Sequence, residues 1–315
     1  MGLVGEDMDI RFQMLEAITN NFADDREVGR GGYGVVYRGE YNGQQIAVKK
    51  LHHLQGLDDS AFDNEFRSLC SINHPNIVRL IGYCHESQRK FIRHNGELIT
   101  AKEMERVLCF EYVEGGSLDR YISDRSCDLD WPTCYGVIKG ICMGLNHLHS
   151  KERGKRIYHL DLKPANILLD NNRTAKIGDL GLSRLVSSTL THITEIRKGT
   201  LGYMPPEYIR DGAISKKFDV FSLGVMIIKM MDGNSGNSRR HQMSSEQFTE
   251  LVSRNWKGKL QSMSVYPASQ EISMLQVNTC IDLALRCVED DRKRRPQIKD
   301  IVHELEELDA RTQQM

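Results

Sequence analysis

The chain has 315 residues, 42 Lys and Arg against 43 Asp and Glu, a formal net charge of -1, and 40% hydrophobic and 27% charged residues. That balance describes a water-soluble globule able to bury a sizeable core in one large domain or two small ones, and it excludes collagen-like and wholly disordered chains. A near-neutral charge offers no broad positive field for a phosphate backbone, so nucleic acid is not an expected partner.

The N-terminus carries Glu6, Asp7 and Asp9 where a secretory signal would be basic and then apolar. The 8 cysteines, several inside apolar runs such as Val107 to Phe110, therefore read as reduced core thiols of a cytoplasmic protein. No stretch approaches the ~18 consecutive apolar residues of a spanning helix, so no transmembrane segment is expected in this chain.

In chain order, Met8 to Ile18 is amphipathic and predicts a short helix within an N-terminal extension, residues 1–27. Val35-Val36-Tyr37 and Ile46-Ala47-Val48 flank the turn signal Asn42-Gly43, which predicts an antiparallel hairpin. Asp58 to Ser71 has helical spacing, and the apolar runs Ile77 to Tyr83 and Val107 to Val113 follow. Between those runs, the polar stretch 86–106 with Asn95-Gly96 reads as a hairpin-like surface insertion. Beyond Gly115-Gly116 helical periodicity dominates, over Pro132 to His149, Lys217 to Met231 and Gln276 to Val288. Asp232 to Ser245, rich in Gly, Asn, Ser and Arg, reads as an exposed loop.

Gly29-Arg30-Gly31-Gly32-Tyr33-Gly34-Val35-Val36 fits G-x-G-x-x-G-x-V, in which glycines admit phosphates close to backbone amides. A Rossmann site shares those glycines but needs a helix next, whereas a strand follows here. Lys49 ends the strand Ile46-Ala47-Val48-Lys49 and could reach phosphate; alone it would be a solvated edge residue. The segment from Tyr158 to Leu169 places Asp161, Lys163 and Asn166 close in sequence, and Asp179 follows. Carboxylate, ammonium, amide and a second carboxylate suit one polyphosphate and its Mg²⁺. His147 and His149, two apart on a helix, diverge and do not suggest a metal site.

With these motifs in order, the chain resembles the eukaryotic protein kinase family over roughly residues 22–309, and within it the plant receptor-like kinases. The resemblance implies an α+β, two-lobed fold: residues 28–112 as a small antiparallel sheet with one helix, 113–309 as a larger helical lobe, and 310–315 as a tail. ATP and Mg²⁺, or Mn²⁺, are expected in the cleft between the lobes.

By the same resemblance, Val28 to Gly34 would cover the phosphates. Lys49 would contact them and pair with Glu65, Asn166 and Asp179 would hold the metal, and Asp161 would orient the attacking hydroxyl. Lys163 would neutralise the moving phosphoryl group and, with Thr200, marks the serine/threonine branch. Val36, Ala47 and Leu168 would sandwich adenine, Phe110 is the gatekeeper, Glu111 to Val113 the hinge, and Asp119 a ribose contact. Structural roles would fall to His159, packed with Leu180, Leu69 and Leu80, to the pair Glu207 and Arg295, and to Asp219.

The chain departs from the pattern at Leu160, where most kinases have Arg before the catalytic Asp, and that arginine grips a phosphorylated activation loop. Kinases of plants lacking it are associated with innate immunity, so the resemblance implies defence signalling. Ser187, Ser188, Thr189, Thr191, Thr194 and Thr200 are candidate phosphorylation sites. Leu180 for Phe and Pro205 for Ala are milder departures that touch neither phosphate nor metal. The expected activity is phosphorylation of protein Ser and Thr hydroxyls, including its own. A pseudokinase scaffold or decoy is the alternative; a small-molecule phosphotransferase is disfavoured by Thr200 and the 205–210 region. Protein substrates and signalling partners are expected. Phe12 to Phe22 resembles a juxtamembrane lead-in, which leaves open a free kinase, a receptor's inner domain at the plasma membrane, or half of a tandem kinase.

Overall fold

A computed structural model describes residues 8–32, 34–52, 69–70, 72–94, 97–123, 129–150, 156–180, 184–186, 192–193, 199–262 and 267–314. They form two compact units, one of residues up to 73 with 78–112, the other of 74–77 with 113 onward.

The first unit is a five-stranded antiparallel sheet of β1 (Glu27–Gly31), β2 (Gly34–Tyr41), β3 (Gln44–Leu51), β4 (Leu80–His94) and β5 (Glu97–Glu111), in the order β1-β2-β3-β5-β4. The β2–β3 turn is the expected one: Asn42 and Gly43 both have positive φ, 51° and 73°, as a two-residue hairpin needs to match strand twist. The polar stretch 86–106 is the outer part of the β4–β5 hairpin, paired without a break from Gly82 opposite Cys109 to His94 opposite Glu97.

Strand alternation sorts this sheet into two faces. Ile46, Val48, Val107 and Cys109 share one face and meet α1 (Phe12–Ile18), whose Phe12 and Leu15 are buried against them. The Lys50 ammonium lies over the rings of Phe12 and Phe22 and pairs with buried Glu105 at 3.1 Å. Upstream, Ile10 N–H donates to Tyr83 O at 2.7 Å and Tyr83 N–H to Met8 O at 2.8 Å, so the segment before α1 lies along β4. The helix starts at Phe12 rather than Met8 for that reason.

The second unit contains α2 (Leu118–Ser123), α3 (Trp131–His149), α4 (Pro206–Asp211), α5 (Phe218–Asp232), α6 (Gly236–Gln242), α7 (Ser245–Ser262), α8 (Pro267–Cys287) and α9 (Ile298–Thr312). It also holds the short ladders β6 (Arg156–Tyr158) with β9 (Arg184–Val186), β7 (Ile167–Leu169) with β8 (Ala175–Ile177), and β10 (His192–Ile193) with β11 (Ala213–Ile214). Asp130 caps α3 by accepting Thr133 N–H at 3.0 Å, with Pro132 in the first turn.

Residues 74–77 belong to this unit because Asn76 lies on α3. A Cβ at Gly140 or Gly144 would stand 2.7 Å from Asn76 atoms. The Asn76 amide donates to Ala175 O, and its carbonyl accepts Ile177 N–H, both at 2.9 Å. Thus the β7–β8 hairpin is tied to α3. The stretch expected as a loop after Asp232 contains α6, fastened by Arg239, whose Nε and Nη2 donate to the Asp232 carboxylate and carbonyl at 2.7 Å each. Cys134, Cys142, Cys280 and Cys287 are buried free thiols, and burial pushes Cys134 and Cys287 up to about 12. They are core side chains; Cys127 lies outside the described residues.

Candidate active site

In the first unit, Val36, Ala47, Lys49 and Phe110 stand on the sheet face opposite α1. Val36 pairs with Lys49, Ala47 with Phe110 and Lys49 with Leu108. Val36, Ala47 and Phe110 are half-buried, and Lys49 is 7% exposed despite its charge. The glycine loop joins β1 to β2, with Gly31 opposite Gly34. A Cβ on Gly34 would sit 2.3 Å from Lys50 O, so the sheet itself demands glycine there. Around Gly29, Gly31 and Gly32 an added Cβ meets nothing within 4 Å. Those three, with exposed Val28 and Arg30, leave a bare strip that no packing among the described residues requires. Tyr33 and Glu65 lie outside the described residues. At the far end of β5, the Glu111 side chain accepts Arg79 N–H at 2.9 Å.

In the second unit, β6 delivers the chain to His159 and a 3-10 turn, Pro164–Asn166, leads it into β7. The Asp161 carboxylate is the centre of a closed set of contacts. Its Oδ1 accepts the Thr200 hydroxyl at 2.7 Å; its Oδ2 meets Lys163 Nζ at 2.8 Å and Asn166 Nδ2 at 3.2 Å. Lys163 Nζ also donates to Thr200 Oγ1 at 2.7 Å. Thr200 reaches this position from between Gly199 and Gly202, at φ 133° and 89°, backbone that side-chain-bearing residues rarely adopt. Asp161, Lys163, Asn166 and Thr200 are therefore brought together. Ser187, Ser188, Thr189, Thr191 and Thr194 lie outside the described residues.

Asn166 commits its amide nitrogen to Asp161, donating also to the Asp161 carbonyl at 2.8 Å, which leaves Oδ1 as the atom it can offer to a cation. Gly178 N–H donates to Asn166 O at 2.8 Å, so exposed Asp179, at φ 53°, follows directly on that contact. An amide oxygen and a carboxylate are the hard donors that Mg²⁺ or Mn²⁺ takes, not the nitrogen and sulfur set of zinc. The residues thus fit a divalent cation with an oxygen-rich shell. Half-buried Leu168 on β7 bridges to Ser117, and exposed Asp119 opens α2. Val113 is buried just before Gly115, whose added Cβ would lie 2.3 Å from Leu169 O.

Behind the loop, Asp219 in the first turn of α5 is fully buried and accepts three hydrogen bonds: His159 N–H at 2.9 Å, Leu160 N–H at 2.8 Å and His149 Nε2–H at 2.7 Å. Burial alone would raise its pKa, but the bond from His149, the nearby histidine charges and Leu160 N–H hold it below the ordinary value. These bonds support Leu160 at φ 65°, a costly conformation for leucine. His159 donates from Nε2 to Gly178 O at 2.9 Å and accepts Asp161 N–H on Nδ1 at 3.2 Å. Both ring nitrogens are occupied, so this imidazole positions the loop rather than moving protons. His149 is the functional-site support that sequence reasoning missed. Its link to Asp219 spans 70 residues and leaves no local signal.

Leu160 itself packs with Tyr158, Tyr208, Ile214 and Phe218, so the position of a usual arginine here belongs to an apolar cluster. Leu180 is buried in this unit, while Leu69 and Leu80 are buried in the other. Below α4, Arg295 is buried and forks onto Glu207 at 2.7 and 2.8 Å, tying α4 to the segment before α9.

Comparison with known proteins accords with this geometry. A family model described as protein kinase domain matches residues 22–305. Cysteine-rich receptor-like protein kinase 28 of Arabidopsis thaliana is 38% identical over 91% of this chain, which covers 41% of that relative. G-type lectin S-receptor-like serine/threonine-protein kinase SRK, of the same plant, is 35% identical over 95% of the chain and 35% of its own length. Receptor-like serine/threonine-protein kinase SD1-7 is 34% identical over 93% and 34% respectively. The chain thus spans between about a third and 41% of the length of these curated relatives. Among the described residues no helix is long and apolar enough to cross a membrane. The chain belongs to the protein kinase domain family, with the use of ATP and a divalent metal that membership entails, and its relatives are plant receptor-like serine/threonine kinases.

Proposed function

We propose that this chain transfers the γ-phosphoryl group of ATP to serine and threonine hydroxyls of proteins, itself included, as part of a signalling kinase. The observation that carries the reading is the Asp161 carboxylate holding a hydroxyl at 2.7 Å and an ammonium at 2.8 Å. That is the arrangement a substrate hydroxyl needs in order to be oriented and relieved of its proton while the phosphoryl group beside it is neutralised.

In this reading Asp161 orients the incoming hydroxyl and accepts its proton, and Lys163 balances the charge that develops on the transferring group. Asn166 Oδ1 and Asp179 would hold Mg²⁺, or Mn²⁺, which supplies charge neutralisation at the phosphates. By the resemblance, Lys49 would contact the phosphates and pair with Glu65, and Val28 to Gly34 would cover them. By the same resemblance, Val36, Ala47 and Leu168 would sandwich the adenine, Phe110 would be the gatekeeper, Glu111 to Val113 would bond its edge through backbone, and Asp119 would meet the ribose. Phosphorylation of Ser187, Ser188, Thr189, Thr191 or Thr194 would act without an arginine clamp, because Leu160 stands in that place. The same departure supports a role in defence signalling, tested by whether loss of the protein alters responses to microbial elicitors. The kinase would act in the cytoplasm, and at the inner face of the plasma membrane if it is part of a longer receptor, with tethering to a receptor or a second kinase domain as the corresponding partner arrangement.

The test is transfer of labelled γ-phosphate, with Mg²⁺, to the protein and to a generic basic substrate, beside Asp161→Asn and Lys49→Ala. Incorporation on Ser or Thr should fall at least ~100-fold in both variants. Wild-type incorporation no greater than in the variants, although ATP raises the melting temperature, would replace this reading with a binding scaffold.

A further inference from the structure

The second unit carries a cavity of about 770 Å³ away from the Asp161 cluster, walled by α2, the start of α3, the end of α5 and α7. Its floor includes buried Met231 and Trp256, and the Trp256 indole N–H donates to Met231 O at 3.0 Å, which fixes the two together. Among the described residues that line it, cations outnumber carboxylates. Lys229, Arg239 and Lys259 line the cavity against one carboxylate among the described residues, Asp232, and that carboxylate is taken by Arg239 at 2.7 Å. The Lys229 ammonium lies 4.5 Å over the Tyr203 ring and pairs with no carboxylate among the described residues; Lys259 lies 4.9 Å over Trp256. A cation such as Lys229, held against an aromatic ring beside an apolar floor, differs from a lysine waving in solvent, because its position is set before any ligand arrives.

The cavity is also wired to the phosphotransfer chemistry through one short turn. Thr200, whose hydroxyl lies 2.7 Å from Asp161, accepts Tyr203 N–H on its carbonyl at 3.1 Å. Ser222 of α5 donates to Tyr203 O at 2.7 Å, and Lys229 of the same helix covers the Tyr203 ring. Such a turn spans less than about 7 Å, and an extended chain covers ~3.3 Å per residue. A substrate segment with its hydroxyl at Asp161 therefore reaches Lys229 within about five residues.

We infer that this cavity is a specificity subsite that takes an acidic side chain of the protein substrate, a few residues from the phosphorylated hydroxyl. The inference rests on the reading of the chain as a protein-phosphorylating enzyme. Charge complementarity of this kind selects partners by rejecting like charge as much as by attracting opposite charge.

Peptides with one serine acceptor and Glu, Gln or Lys walked through the five positions on either side provide the test. KM and kcat are measured for the wild type, Lys229→Glu, Lys259→Glu and the exposed control Lys257→Glu, which lies on α7 outside the cavity. Equilibrium binding of the same labelled peptides is followed by fluorescence anisotropy, which needs no turnover. At one register Glu should bind and react with a KM roughly three- to tenfold below that of Gln, and added salt should shrink the difference. The Glu-to-Gln ratio should vanish or invert in Lys229→Glu and persist in Lys257→Glu. Phosphorylation without any Glu preference, or a preference that survives Lys229→Glu, overturns the subsite and leaves the phosphotransfer reading intact. Preferential binding without turnover supports the acidic site and removes the phosphotransfer reading; neither binding preference nor turnover removes both.

Discussion

Replacing Arg295 with Met should cost the second unit about 3–5 kcal/mol, a large share of what a domain of this size has to lose. The guanidinium is fully enclosed and uses all its donors. Two go to Glu207 at 2.7 and 2.8 Å, Nε goes to Glu289 O at 2.7 Å, and longer bonds of 3.3 Å reach the carbonyls of Lys217 and Asp290. Its planar face lies 4.9 Å from the Phe221 ring. Met fills much of the same space, so the loss comes from what is left behind: the Glu207 carboxylate, 7% exposed, without a counter-charge. Arg295→Lys keeps the charge but offers one compact ammonium where a planar fork is needed, and should lose about half as much.

The double variant Glu207→Leu with Arg295→Met removes the stranded charge, and should recover about 2 kcal/mol or more relative to Arg295→Met alone. Urea unfolding read by tryptophan fluorescence measures this directly, because both tryptophans, Trp131 and Trp256, are buried in that unit. With a slope of about 2–3 kcal/mol/M the midpoint for Arg295→Met should fall by roughly 1–2 M. An Arg295→Met protein within about 1 kcal/mol of wild type, or a double variant no more stable than it, would refute the reasoning.

Thr200→Val removes the hydroxyl held between Lys163 and Asp161 at nearly constant volume; kcat on peptides should drop about 10- to 100-fold and recover in Thr200→Ser. Equal rates in all three would make Thr200 a mere spacer. Gly34→Ala puts a Cβ 2.3 Å from Lys50 O and should lower stability by about 1–3 kcal/mol. Gly31→Ala, which meets nothing, should melt like the wild type while raising KM for ATP, and thermal melts beside ATP titrations separate the two. His74 has a lowered pKa, first through burial and then through the charge of His147, and its Nδ1 accepts Asn76 N–H at 3.1 Å. Its folded pKa being below the unfolded one, the contribution is complete above about pH 6.5 and fades as pH falls through the folded value. Urea midpoints at pH 7.5 and 5 should therefore lie further apart in the wild type than in His74→Gln, and an identical fall in both contradicts the assignment.

What the sequence disclosed and what it withheld divide along local and non-local physics. The β2–β3 hairpin was legible because Asn42-Gly43 fixes its own turn, and Asp161, Lys163 and Asn166 because they lie within one short segment. Thr200 was legible as a motif position, although its hydroxyl contacts to Asp161 and Lys163 span 39 and 37 residues. The long α7 escaped notice, yet Phe248, Val252, Trp256 and Leu260 recur every fourth residue and all are buried. The polar residues between them masked that stripe. α8 begins at Pro267 instead of near Gln276, and α6 forms in a stretch whose composition favours loops. There the Arg239 contacts to Asp232 and the seat of Gly236 against Ile228 override local preference. The hold of His149 on Asp219 and the cationic cavity are likewise products of distant segments meeting, which no window of sequence displays.

The docking of α1 moves the thermodynamic edge of the domain outward from the edge that similarity draws. The kinase match begins at residue 22, but Ile10, Phe12 and Leu15 are 3%, 4% and 0% exposed against Ile46, Val48 and Cys109. A fragment excised at residue 22 would leave that sheet face wet and strip the two rings' partner, Lys50, of one of them. At ~1.5–3 kcal/mol for each large apolar side chain returned to water, such a fragment forfeits several kcal/mol. Any tension or displacement transmitted along the chain through residues 8–18 is therefore delivered to the strand carrying Lys49, one residue from the lysine that clasps the helix.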